Sequence, residues 1–272
     1  MNAIGPVDIA EADRLACATL WRREMVRFIR QRSRVIGAFG TPLVFWLIAG
    51  AGLGNSLRLP GAESMSYFEF SFPGAIASIL MFTSIFSTIS TIDDRKEGFM
   101  QGVLVAPCSR TAVALGKILG GVSLGVVQAA IFLIFAPFAG IPLHFLGIVA
   151  GLLVMVLIGL CTTSLGMLIA WRLESTQGFH AIMNLVLMPM LLLSGAFFPP
   201  GGSQKWMQFV IACNPMTYQV SLLRRALAIG TGSVSVNGPG WLISLALSLL
   251  FAVIMFYLVA RSVTKDSASA LN

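Results

Sequence analysis

Six stretches of this sequence run for about 20 residues each without an Asp, Glu, Lys or Arg: Gly37–Leu57, Pro73–Ile92, Ile118–Phe138, Leu146–Ala170, His180–Phe198 and Trp241–Ala260. A helix of about 20 apolar residues crosses about 30 Å of hydrocarbon. A helix resting on a soluble core would carry a polar face at every turn, and most of these blocks carry none. Charged residues make up only 11% of the 272, against about 25% in a soluble domain, too few to cover a water-facing surface. The sequence therefore predicts an all-α polytopic membrane protein with about six transmembrane helices. A cytoplasmic segment 1–36 precedes a single membrane domain, 37–263, and a short cytoplasmic tail, 264–272, follows it. The first 34 residues are charged and the first apolar block is long enough to span, so no cleavable signal peptide is expected.

The basic residues orient the chain. Arg14, Arg22, Arg23, Arg27, Arg30, Arg32 and Arg34 precede the first block. Arg95, Lys96, Arg110 and Lys117 follow the second, Arg172 the fourth, and Arg261 and Lys265 the sixth, fourteen in all. The other side has four: Arg58, Lys205, Arg224 and Arg225. Lys and Arg concentrate in cytoplasmic loops, so both termini are expected in the cytoplasm and the protein in the cell (inner) membrane. This placement accounts for most of the net charge of +7 and leaves no case for a nucleic-acid partner. The cysteines Cys17, Cys108, Cys161 and Cys213 are widely spaced, with no CxxC pair, and only Cys213 falls outside both cytoplasm and bilayer, which argues against a disulfide framework.

Two regions outside the spans carry a pattern. On a helical wheel Leu15, Trp21, Met25, Val26, Phe28 and Ile29 share one side and Arg23, Arg27, Arg30 and Arg34 another. That pattern predicts an amphipathic helix on the inner membrane surface, in contact with lipid. Between spans five and six, Pro199-Pro200-Gly201-Gly202 stops a helix and Asn214-Pro215 starts a turn. The pieces around Trp206 and Tyr218 are too short to span, and predict two short helices at the outer face.

Groups able to do chemistry are scarce. Gly116-Lys117-Ile118 lacks the first Gly and the Ser/Thr of a phosphate-binding loop. His144 and His180 are expected on opposite sides of the membrane, so neither completes a metal site. Ser194-Gly195 has no histidine at its depth to make a protease. Ion-coupled carriers place ionisable groups within spans, and their absence here points to an energy source in another subunit. In span two, Thr83, Ser84, Ser87, Thr88, Ser90 and Thr91 cluster on one face. Such a face meets either another helix or a wet path. Span five holds Asn184, Met188 and a central Pro189, which suits an adaptable path wall or a packed kink. Gly50-x-x-x-Gly54, Gly121-x-x-x-Gly125 and Gly147-x-x-x-Gly151 are read as helix-packing spacings.

After span two the chain reads Asp93-Asp94-Arg95-Lys96-Glu97-Gly98-Phe99, continuing through Pro107 to Arg110. Span five ends Ser194-Gly195-Ala196-Phe197-Phe198-Pro199, and Asn214-Pro215-Met216-Thr217-Tyr218 precedes Leu223-Arg224-Arg225. In order and topology these segments resemble the permeases of type-2 ATP-binding cassette (ABC) exporters, which include drug-resistance, nodulation-factor and polysaccharide export permeases; Phe99 replaces a Thr common in that family. The resemblance implies a transport subunit with no cofactor of its own, and ATP and Mg on a cytoplasmic ABC ATPase. It implies a second permease copy, and a coupling loop comprising Arg95, Glu97, Gly98, Pro107 and Arg110. Spans two and five, with Thr83, Ser87, Ser90, Asn184, Met188 and Pro189, would line the path of an amphipathic, lipid or glycan-type cargo. The outer helices with Trp206 and Tyr218 would cap it. A stand-alone channel or secondary carrier is the alternative; an intramembrane enzyme is a third class.

Overall fold

A computed structural model describes residues 9–53, 65–198, 204–230 and 238–269. The described residues form eleven α-helices: α1 (Ile9–Arg30), α2 (Arg32–Leu53), α3 (Tyr67–Ser87), α4 (Ile89–Lys96), α5 (Phe99–Val105), α6 (Arg110–Leu133), α7 (Phe145–Arg172), α8 (Thr176–Leu192), α9 (Lys205–Cys213), α10 (Pro215–Leu227) and α11 (Trp241–Ser269). A 3-10 turn, Ala136–Ala139, follows α6, and no strand occurs among the described residues. Among the described residues five helical stretches are long and apolar enough to cross a membrane: Val35–Gly52, Tyr67–Lys96, Arg110–Leu133, Phe145–Arg172 and Trp241–Thr264. The stretch expected as the fifth span corresponds to α8, a shorter apolar helix of 17 residues that reaches roughly 26 Å at 1.5 Å per residue, less than the about 30 Å of hydrocarbon.

Helix starts are set by caps rather than by where apolarity begins. The Ser66 hydroxyl accepts the Glu69 N–H at 3.2 Å, so α3 starts at Tyr67 and takes Pro73 into its body. The Ser109 hydroxyl likewise accepts the Ala112 N–H at 3.2 Å. Helix α6 therefore begins at Arg110, and Arg110 and Lys117 lie in the helix instead of the loop expected for them. The two expected short helices are α9 and α10. Asn214 caps α10, its Oδ1 accepting the Met216 N–H at 3.0 Å, with Pro215 as the first helical residue. Gly54, Leu57, Ser64 and the Pro199–Gly202 stop lie outside the described residues.

Helix α3 is the centre of the bundle, buried along nearly its whole length and covered by α2, α6, α7 and α10. Trp46 of α2 fixes one neighbour: its ring lies 5.2–5.5 Å from those of Phe68, Phe72 and Phe132. Glycines set the other contacts. A Cβ at Gly125 of α6 would meet the Ser84 hydroxyl at 2.6 Å, and one at Gly166 of α7 the Thr88 hydroxyl at 3.0 Å. Gly121 faces Ser87 and Thr163, and Gly151 faces Leu227 of α10. Without a hydrophobic drive between helices in lipid, such close approach supplies the packing attraction.

Candidate coupling site at the charged end of the bundle

Three helices converge where α3 gives way to α4. Gly116 and Gly120 let α1 settle onto α6, since a Cβ at Gly116 would lie 2.7 Å from the Cys17 carbonyl oxygen and one at Gly120 2.7 Å from the Glu24 Cβ. That approach brings Glu24 within 2.9 Å of the Lys117 ammonium. Lys117 also donates to Asp94 of α4 at 2.5 Å. Arg23 grips both Asp94 oxygens, at 2.7 and 2.6 Å. Arg27 donates to Asp94 at 2.8 Å and to Asp93 at 3.2 Å. Asp94 is fully buried, and Glu24 and Lys117 are each 4% exposed.

The arrangement is chemically closed. Three cations, Arg23, Arg27 and Lys117, face three carboxylates, Glu24, Asp93 and Asp94. The bidentate Arg23–Asp94 pair is the strong form of such a contact. Its hydrogen bond to Asp94 raises the Arg23 pKa further, so this cation stays charged. The same carboxylates correct the wheel reading of α1. Arg23 and Arg27 turn toward protein carboxylates rather than water, and Phe28 is buried while Trp21, Val26 and Ile29 stay exposed. A second tie joins α1 to the start of α6. The Ser109 N–H donates to the Asp13 carboxylate at 2.5 Å, and hydrogen bonds from Ser109 hold that carboxyl below its usual range.

The expected coupling residues follow this cluster along the chain, from the end of α4 through α5 to the start of α6. Arg95 donates to the Trp171 carbonyl at the end of α7. Glu97 is exposed and forms no ion pair among the described residues. Gly98, at φ 75°, makes the left-handed turn that admits α5. Helix α5 is anchored by Met100, 2% exposed and packed with Leu20, Ile118, Met167 and Trp171. It presents Gln101 and Gly102 outward, followed by Ala106 and Pro107. Phe99 stacks under the Arg23 guanidinium, 3.8 Å from the ring centroid. Arg110 opens α6 and is half-buried, one guanidinium nitrogen lacking a partner.

The residues expected to line a path divide. Thr83, Ser87 and Ser90 are buried inside the single chain. Thr83 bonds to Gln128 of α6 and Ser87 to the Ser84 carbonyl at 2.6 Å, because Gly121, Gly125 and Gly166 leave room for the hydroxyls. This face therefore meets α6 and α7, not open space or a second copy. On α8, by contrast, only the stripe Phe179, Met183, Leu187 and Leu191 is buried. Asn184, Met188 and Pro189 are exposed. Trp206 is exposed on α9, and the Tyr218 hydroxyl donates to the Ala212 carbonyl at 2.7 Å.

At the opposite end of α3 the turn after α8 is tied down through main-chain carbonyls. Tyr67 donates to the Phe197 carbonyl at 3.1 Å, and Asn214 to that of Met190 at 2.6 Å. Arg224 donates to the carbonyls of Phe70 and Gly195 at 3.2 and 3.3 Å, and lies 4.4 Å over the Phe70 ring.

Sequence reasoning missed Glu24, Asp94 and Lys117 as one unit. The available signals were a lone acid in an arginine-rich helix, a carboxylate pair directly after an apolar span, and a lysine between Gly116 and Gly120.

Residues 16–228 match the family described as ABC-2 type transporter. Nodulation protein J of Rhizobium leguminosarum bv. viciae is 27% identical over 216 residues, covering 75% of this chain and 79% of that protein. The putative transport permease ycf38 of Cyanophora paradoxa is 26% identical over 208 residues, 75% of this chain and 71% of its own length. The daunorubicin resistance ABC transporter permease protein DrrB1 of Streptomyces coeruleorubidus is 26% identical over 214 residues, 76% and 73% of the two chains.

Proposed function

The chain belongs to the ABC-2 type transporter family, and on that premise we propose that it is the permease subunit of an ATP-driven exporter. Its helix α5 docks a cytoplasmic ABC ATPase that carries the ATP and Mg. The observation that supports this reading is the placement of α5. A seven-residue helix that turns Phe99, Gln101 and Gly102 outward sits beneath a charge-locked block that joins α1, α4 and α6. A push on α5 through Met100 and Gly98 reaches the end of α3 without bending a soft element. The basic bias of that end supports its placement in the cytoplasm, with both termini, in the inner membrane.

A second copy of the permease completes the path in this proposal. From Ala181 to Leu192 the exposed face of α8, apolar but for Asn184, is left uncovered by its own chain. Such a face with one amide suits an amphipathic cargo of lipid or glycan type. Relatives named for nodulation and for daunorubicin resistance are compatible with that class.

The test is the full-length chain, tagged and purified from its own cells with its associated subunits, then reconstituted in liposomes. An ATPase is expected to co-purify and to drive ATP-dependent export. Glu97→Ala should lower both export and coupled ATP hydrolysis several-fold while assembly is retained, more than the about 0–1 kcal/mol of an isolated surface pair would suggest. Flux from the chain alone, without nucleotide, would overturn the proposal.

A further inference from the structure

A groove of about 710 Å³ runs between α1, α6 and α11 on the same side of the bundle as the charge cluster. It lies within the range of about 300–1,000 Å³ typical of small-ligand sites. Its polarity is ordered along its length. At one end stand Arg14, Ser109 and Thr111; beyond them the walls are Leu115, Leu119 and Phe256. The far end is closed by Trp21, whose indole N–H donates to the Ser123 hydroxyl at 3.0 Å. From Ser109 to Ser123 along α6 the groove is roughly 21 Å long at 1.5 Å per residue. A leaflet of hydrocarbon is about 15 Å deep, so the length takes one acyl chain with a headgroup above it.

The charges at the mouth select the headgroup. Asp13 is already held by the Ser109 N–H at 2.5 Å, and the Ser109 hydroxyl caps α6, so neither the carboxylate nor the helix end is open to a ligand. Arg14 is exposed and has no ion pair among the described residues. The open charge is therefore a guanidinium, whose planar donors match phosphate oxygens.

We infer that this groove is a binding site for one inner-leaflet glycerophospholipid, its phosphate on Arg14 and one acyl chain along Leu115, Leu119 and Phe256. The inference rests on the orientation in Proposed function only for the choice of leaflet. That orientation has its own test: an impermeant thiol reagent added outside intact cells should label the exposed Cys213 and spare Cys108.

The site itself is tested in micelles, independently of orientation. Full-length chain is stripped of surface lipid, incubated with phosphatidylglycerol, and weighed by native mass spectrometry. Wild type should retain one phosphatidylglycerol. Leu119→Trp and Ser123→Phe, which fill the groove along its wall and at its far end, should each abolish retention. Leu250→Trp, on the exposed face of α11, should leave it unchanged and serves as the folding control. Arg14→Gln should weaken retention about tenfold, as loss of a charge-assisted bond predicts. Equal retention by wild type and both filled variants would overturn the site. A fatty acid ester without phosphate that binds as tightly as phosphatidylglycerol would overturn the headgroup assignment.

Discussion

At one end α3 leads into Asp94, which has two guanidiniums and an ammonium in hydrogen-bonding range. At the other it meets Arg224, which is 8% exposed and has two carbonyls and a phenyl ring for company, with no carboxylate within ion-pair distance among the described residues. Both ends bury charge beside the same helix, yet they differ in what happens when a contact is released. Separating the first cluster strands buried ions against each other's absence, a large penalty that keeps α1, α4 and α6 as one block. Releasing Arg224 from its carbonyls lets a lone cation reach water, which offsets the bonds lost. The comparison assigns a charge-locked block to the α4 end and a turn held by neutral contacts, released at lower cost, to the end after α8.

The comparison breaks first at Lys117. Lys117→Met should destabilise the chain by about 3–5 kcal/mol, the usual cost of removing one partner from a buried ion pair, read as unfolding free energy in mixed micelles. Adding Glu24→Gln removes one negative charge and restores the balance around Asp94, so the double variant should recover most of the loss. A double variant no better than the single would show that the cluster is not held by charge balance.

Arg224→Met should cost less, about 1–3 kcal/mol, because it leaves carbonyls unpaired but strands no ion. Its clearer signature is local. A cysteine placed at Ala196, buried in the tied turn, in a Cys213→Ser background, should become reactive to thiol reagents in the variant while remaining protected in wild type. Equal protection in both would mean that Arg224 does not hold the turn. Tyr67→Phe removes a single bond, to the Phe197 carbonyl. It should shift stability by about 1 kcal/mol and raise the reactivity at position 196 less than Arg224→Met does.

Much of this fold could be read from residues. The apolar blocks located α7 and the start of α11 to within a few positions, and Asn214-Pro215 located the start of α10. The starts of α3 and α6 were missed because Ser66 and Ser109 extend each helix past its apolar stretch. Pro73 and Lys117, which look like boundary residues, are carried inside. The hydroxyl face of α3 was visible as a pattern. Its partners were not, since Gly121, Gly125 and Gly166 lie far off in sequence and only packing brings them there. The charge cluster was hidden for a related reason. Counting cations by side orients a chain, but it treats each arginine as facing water, and Arg23 and Arg27 face Asp94.

The central claim is that the ATPase meets this chain at α5. A photo-crosslinker at Gln101, exposed on α5, and one at Trp206, exposed on α9, can be compared in the intact complex purified from membranes. The account predicts that the ATPase is captured from position 101 and not from 206. Capture from 206, or from neither position while the ATPase still co-purifies, would contradict it.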